Sequence, residues 1–144
     1  MILRETGRQL IGDKRGAVAV EFAILAPAII VLLLGVLMIG LHMQSYNSVR
    51  SIAYDVERYT VVEYQKENKL LPAQIEQVAQ SIGRLSPYNF NSDRLNASVV
   101  TEASGMTGAQ KFVLTLTYTP QKISALMKVQ PPVITQTQSI IVPN

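Results

Sequence analysis

"KRGAVAVEFAILAPAIIVLLLGVLMIGL", Lys14 to Leu41, decides how the rest of the chain is read. From Phe22 to Leu41 it offers 20 consecutive residues without a charge. As a helix, such a run spans about 30 Å, the thickness of a bilayer's hydrocarbon core. A buried core helix is a poor alternative, because no other part of the chain could cover so uniformly apolar an element. A cleaved secretory signal would have a shorter apolar core and a small-x-small site. This run instead continues into "VLMIGLHMQSY", Val36 to Tyr46. Pro27 would cost a water-soluble helix about 3 kcal/mol; membrane helices tolerate it better.

The flanks set the expected orientation. Lys14 and Arg15 stand at the N-terminal end, whereas the other end offers only His42 and, further on, Arg50. Cytoplasmic flanks carry the excess of Lys and Arg, so residues 1–15 are expected inside and everything after Leu41 outside.

Composition narrows the function classes. The chain has 144 residues, room for one domain at most, and a formal net charge of +3. Residues 1–16 hold four basic and two acidic side chains, so much of the excess lies in front of the apolar run. No basic cluster interleaved with aromatics follows in sequence, and nucleic acid is not an expected partner. The absence of cysteine excludes a disulfide framework, thiolate chemistry and Cys-ligated zinc.

Glu21 is the residue this run has to explain. A carboxylate at mid-membrane costs at least about 2.5 kcal/mol, less at the edge. One reading is an interfacial glutamate favoured by the helix dipole. A second follows from its neighbours. If the chain is cut between Gly16 and Ala17, a new ammonium appears on Ala17, and Glu21 becomes the fifth residue of the product. Residues 17 and 21 lie on one helix face. The carboxylate then sits level with an ammonium, its own or a neighbour's, and pairing offsets the burial of both charges.

The order of residues resembles the type IV prepilin signal. In that family a membrane aspartic peptidase cuts after glycine on the cytoplasmic face and leaves the apolar helix attached. Gly16 matches the residue before the cut, Ala17 the new N-terminus, and Glu21 the glutamate that registers subunits in the filament. The resemblance is narrower still. Arg15, Gly16, Ala17, Val20, Glu21, Phe22, Ala23, Pro27 and Gly35 are similar to the pattern of the TadE/TadF-like proteins of the tight-adherence (Tad, Flp, type IVc) pilus. The major pilin of that system is shorter and carries Glu-Tyr at the matching place. Glu21-Phe22 and the long remainder therefore resemble a minor pilin, or pseudopilin. The resemblance covers roughly Lys14 to Gly40. It implies as partners the membrane, a prepilin peptidase, other pilins and the pilus assembly platform. It also implies a place in the bacterial inner membrane or the pilus, and a part in surface adherence and biofilm formation. The rival reading is an unprocessed single-span membrane protein whose exported domain binds a partner unrelated to pili.

The exported part reads as α+β with a pilin-like plan. The expected division is a cytoplasmic leader over 1–16, a membrane helix over 17–41, a helical stalk over 42–71 and an α+β domain over 72–144. One long helix is expected from about Ala17 to about Tyr64. In its second half Val49, Ile52, Ala53, Val56, Tyr59 and Thr60 recur at helical spacing. Lys66 to Lys69 reads as a turn. "PAQIEQVAQSIGRL" predicts a short second helix with an apolar stripe of Ile75, Val78, Ala79, Ile82 and Leu85. That helix should pack on the sheet or on the stalk. Three antiparallel strands follow: Leu95–Ala103, Gln110–Thr119 and Val133–Val142, the third with its faces least separated and so a candidate edge. Ser104 to Gly108 reads as the first turn, and Ser124 to Val129 as a helical turn.

Chemistry-bearing patterns are missing from the sequence. His42 is the only histidine, and no metal-ligand spacing occurs. There is no phosphate loop or nucleophile elbow. No catalytic residue, metal, cofactor or small-molecule substrate is expected. Asp55, Glu57 and Glu63 read as solvated. Tyr46, Tyr54, Tyr59 and Tyr64 read as the stalk's amphipathic seam, with an interaction face as the alternative.

Overall fold

The computed structural model describes residues 14–121 and 131–144. Most of the expected leader and the expected turn over Ser124–Val129 lie outside the described residues. The chain divides into two units, Met1–Ile39 and Gly40–Asn144.

The first unit contributes the N-terminal part of helix α1, which runs from Lys14 to Gln65 with Pro27 inside it. Its bounds are slightly wider than Ala17–Tyr64. Apart from Pro27 and isolated glycines, Ala and Leu in this part favour a helix, while the β-branched Val and Ile are only moderate helix formers. An 18-residue window of the helix has mean hydropathy 3.0, and none of that window is buried inside the protein. It is long and apolar enough to cross a membrane, and the chain does not cover it.

The second unit holds the rest of α1, helix α2 (Pro72–Arg84) and strands β1 (Leu95–Glu102), β2 (Ala109–Tyr118) and β3 (Ile134–Pro143). The strands form one antiparallel sheet in the order β1-β2-β3. The expected α+β plan is therefore present, with β3 at an edge. Side chains alternate across a strand, and the alternation decides which face packs. Leu95, Ala97 and Val99 of β1, Phe112, Leu114, Leu116 and Tyr118 of β2, and Ile134, Ile140 and Val142 of β3 are all buried. The opposite face shows Asn96, Ser98, Thr135, Thr137 and Ser139 exposed. The sheet turns between β1 and β2 through Gly105 and Gly108, at φ +67° and +80°, conformations that only glycine adopts without penalty.

Both helices pack on the apolar face of the sheet. From α1 come Val49, Ile52, Ala53, Val56, Thr60 and Tyr64, and from α2 come Ile75 and Ala79. Tyr64 meets Phe112 with ring centroids 6.2 Å apart, and its hydroxyl donates to the Leu70 carbonyl at 3.0 Å. Thr60, the one buried polar side chain among the described residues, donates back to the Val56 carbonyl at 2.8 Å. Gly83 is buried where α2 passes Leu95 and Ile52, and a Cβ there would overlap the Leu95 side chain. α2 thus packs on the sheet and on α1 at once. Gln74 caps its start by accepting from the Leu71 N–H at 2.8 Å. The reciprocal half of a capping box is absent, because a leucine side chain has no acceptor.

Several expectations need correction. Tyr59 is 43 % exposed and leaves the packed stripe, while Tyr64, 7 % exposed, joins it. Tyr46 and Tyr54 are 44 % and 45 % exposed, so three of the four tyrosines are not seam residues. Tyr46 precedes Val49, where burial of α1 begins, and Tyr54 lies away from the sheet. Leu85 is exposed because the helix ends at Arg84 and the chain turns extended there. Nor are the three carboxylates merely solvated. Asp55 accepts from the Tyr88 hydroxyl at 2.7 Å. Glu57 accepts from Gln138 Nε2 at 2.9 Å. Glu63 accepts from Asn68 at 2.7 Å and Lys66 at 2.9 Å.

Candidate functional site

The residues singled out by the sequence all fall in α1. Lys14, Arg15, Gly16 and Ala17 form its first turn; Val20, Glu21, Phe22, Ala23, Pro27 and Gly35 follow. Ala17 and Glu21 are four apart in continuous helix, so they share a face. No acidic residue occupies the first turn. Glu21 is well inside the helix, beyond the reach of the dipole, which fades within about one turn. The dipole reading of this glutamate is correspondingly weak.

Glycine at 16 and 35 is not required by the chain's own packing. A Cβ at either position would meet nothing within 4 Å, and neither adopts a positive φ. Gly35 still costs the helix interior about 1 kcal/mol relative to alanine. Val18, Val20, Phe22, Ile24 and Leu25 are exposed as well. A segment whose glycines and apolar side chains serve no internal contact is suited to contacts outside the chain.

Against known families, the model for TadE-like proteins matches residues 16–58. This stretch is TadE-like. The match begins at Gly16, contains Ala17, Glu21, Phe22, Pro27 and Gly35, and ends at Arg58, so it lies wholly within α1. No curated protein matches the chain, and no solved structure does. The resemblance to TadE/TadF-like proteins thus holds over the TadE-like segment, which carries the cluster read from the sequence.

The same segment contains a feature that linear reading missed. Tyr46, Arg50 and Tyr54 are spaced four apart and form one exposed ridge. The Arg50 guanidinium donates to the Tyr54 hydroxyl from Nη2 at 3.2 Å and Nε at 3.4 Å, and lies 5.6 Å from the ring centroid. Helical spacing was the available signal, since Tyr46-x-x-x-Arg50-x-x-x-Tyr54 is visible once the helix is drawn through it.

Among the described residues, no group of three or more His, Asp or Glu could hold a metal ion. His42 stands alone, and its Nδ1 is buried without a hydrogen-bond partner among the described residues.

Proposed function

We propose that this chain is a minor pilin, or pseudopilin, of the tight-adherence pilus, cut by a prepilin peptidase after Gly16. The observation that carries the reading is the TadE-like match beginning at Gly16 on a helix whose apolar window is uncovered by its own chain. In this reading residues 1–16 are a cytoplasmic leader oriented by Lys14 and Arg15. Residues 17–41 cross the inner membrane, 42–71 continue outward, and 72–144 are the periplasmic or extracellular α+β domain.

The chemistry follows from position. The Gly16–Ala17 bond lies in the first turn of α1, where the leading N–H groups lack intrahelical partners. That turn opens more easily than the helix interior, and a glycine beside the bond adds backbone freedom. After the cut, the Ala17 ammonium and the Glu21 carboxylate occupy the same face of the helix. Lipid and neighbouring pilins then cover Phe22 to Leu41, and Glu21 pairs with an ammonium at subunit registration. Adherence and biofilm formation would follow from incorporation in the filament or from priming it.

The test uses cells that express the chain with the peptidase and the pilus platform. Gly16→Val should leave the leader attached and remove the chain from sheared surface filaments. Glu21→Gln should be cut normally yet enter filaments poorly. Normal recovery of both variants in the filament fraction would contradict the assignment. A chain that is never cut would instead be a single-span membrane protein with an exported binding domain.

A further inference from the structure

The two edges of the sheet differ in how they are closed. The Thr119 N–H donates to the Arg94 carbonyl at 3.0 Å, and the Asn144 N–H donates to the Gly108 carbonyl at 2.9 Å. These pairs continue the β1–β2 and β2–β3 registers by one residue each. Backbone groups alternate in direction along an antiparallel strand. The odd-numbered residues of β1 and of β3 therefore turn their N–H and C=O groups away from β2.

On β1 that edge is closed. The outward Leu95 N–H donates to the Asn91 carbonyl at 3.2 Å, and the outward Val99 N–H donates to Glu76 Oε1 of α2 at 2.8 Å. On β3 it is open. Thr135, Thr137, Ser139 and Ile141 face outward, and among the described residues none of their N–H groups has a partner. Edges that stay unpaired are usually guarded by charge, proline or a bulge. Ile134 to Val142 contains no charge and no proline, and it pairs with β2 residue for residue. Such an edge is a template for a further strand.

A second copy of this chain is a poor source of that strand. β3 can match itself about Thr137, with Thr135 opposite Ser139 and Gln136 opposite Gln138. Antiparallel pairing of two identical edges in one sheet needs a two-fold axis normal to the sheet. α1 packs along the apolar face, so this axis reverses it. The two chains would then reach their apolar runs at opposite ends of the pair, which chains anchored in one membrane with one orientation cannot do. A copy's β1 offers only its closed edge.

We propose that β3 is a strand-addition edge that takes an extended, uncharged segment of a different protein. This rests on the reading that Phe22 to Leu41 anchors the chain in a membrane. Main-chain hydrogen bonds to Thr135, Thr137, Ser139 and Ile141 supply the binding, and alternate side chains supply the selection. On one face the segment meets Thr135, Thr137 and Ser139, which suit small hydroxyl or β-branched neighbours. On the other it meets Ile134 and Ile140, which suit apolar ones.

Backbone deuterium exchange, read by mass spectrometry on β3 fragments, tests this. The full chain is compared in membranes of the cells that naturally make it and after purification alone in detergent. The four outward amides should exchange slowly in the membranes and fast in detergent. Thr137→Pro removes an N–H that β2 does not use, and edge strands tolerate proline there. It should abolish the protection, whereas Thr137→Val should keep it; unchanged exchange of β2 amides shows that both variants stay folded. The chain lacks cysteine, so Thr137→Cys adds a single thiol, and a short thiol-to-thiol crosslinker should give no dimer of the chain. Equal exchange of β3 in membranes and detergent would overturn the proposal while leaving the membrane reading intact. A crosslinked dimer would overturn it by assigning the edge to a second copy. A chain that does not sediment with the membranes would remove the anchoring on which the proposal rests.

Discussion

The Tyr88 hydroxyl donates a 2.7 Å hydrogen bond to Asp55 Oδ2, joining the segment after α2 to the middle of α1. The partners are 33 residues apart, and the acceptor is a carboxylate. Tyr88→Phe removes the donor and keeps the ring. It should destabilise the domain by about 0.5–1.5 kcal/mol, the ordinary range for a hydrogen bond, because the pair is solvent-exposed. Asp55→Asn keeps an acceptor and should cost less. Urea unfolding of the two variants in detergent measures both, and equal stability of Tyr88→Phe and the parent would show the bond to be idle.

Alkaline pH should weaken the same domain. Burial raises the Tyr64 phenol above its ordinary 10.0, and burial followed by the bond to Asp55 raises that of Tyr88. Below about pH 10 both phenols are neutral whether folded or not, and their contribution to stability is fully present. As pH rises further, the unfolded chain ionises first, so stability falls until the folded phenols ionise too. Tyr64→Phe and Tyr88→Phe should each flatten this decline when unfolding curves are compared at about pH 9 and about pH 11.

Acid should act through Glu63. Hydrogen bonds from Asn68, then from Lys66, hold its carboxyl below the ordinary 4.5. The contribution is present above that value and is lost as pH falls through the lower folded value. Asn68→Ala should reduce the acid sensitivity of unfolding below about pH 4.5. An unchanged acid limb in that variant would remove Glu63 from the account.

Gly83 should resist enlargement. Its position against Leu95 and Ile52 leaves no room for a branched side chain. Gly83→Val should destabilise by about 1–3 kcal/mol, as overpacking does. Gly83→Ala should fall between the parent and the valine variant, because better helix propensity, worth about 1 kcal/mol, partly offsets the crowding. Thermal unfolding ranks the three proteins.

Local patterns made much of this fold legible. The run from Phe22 to Leu41, the alternation of Leu95, Ala97 and Val99, and that of Phe112, Leu114 and Leu116 each follow from a period that a few residues display. What stayed hidden depends on partners distant in sequence. Nothing near Asp55 announces Tyr88, and Glu57 gives no sign of Gln138, 81 residues away. The tyrosines differ for a similar reason. Tyr64 packs on Phe112 of the sheet, whereas Tyr46 shares the helix but precedes the stretch that the sheet covers. Nothing around Gly83 in the sequence indicates that Leu95 lies beside it.

The candidate site was legible in the opposite way. Gly16, Ala17 and Glu21 stand out by spacing, yet within one chain they touch little. Their expected partners are a peptidase, lipid and other subunits. Among the described residues Gly16 meets nothing within 4 Å and Ala17 and Glu21 are exposed, so the roles expected of them require those partners.

The N-terminal sequence of the chain, expressed with and without a prepilin peptidase, tests the central claim most directly. The account predicts a start at Ala17 when the peptidase is present and at Met1 when it is absent. A start at Met1 under both conditions would contradict it.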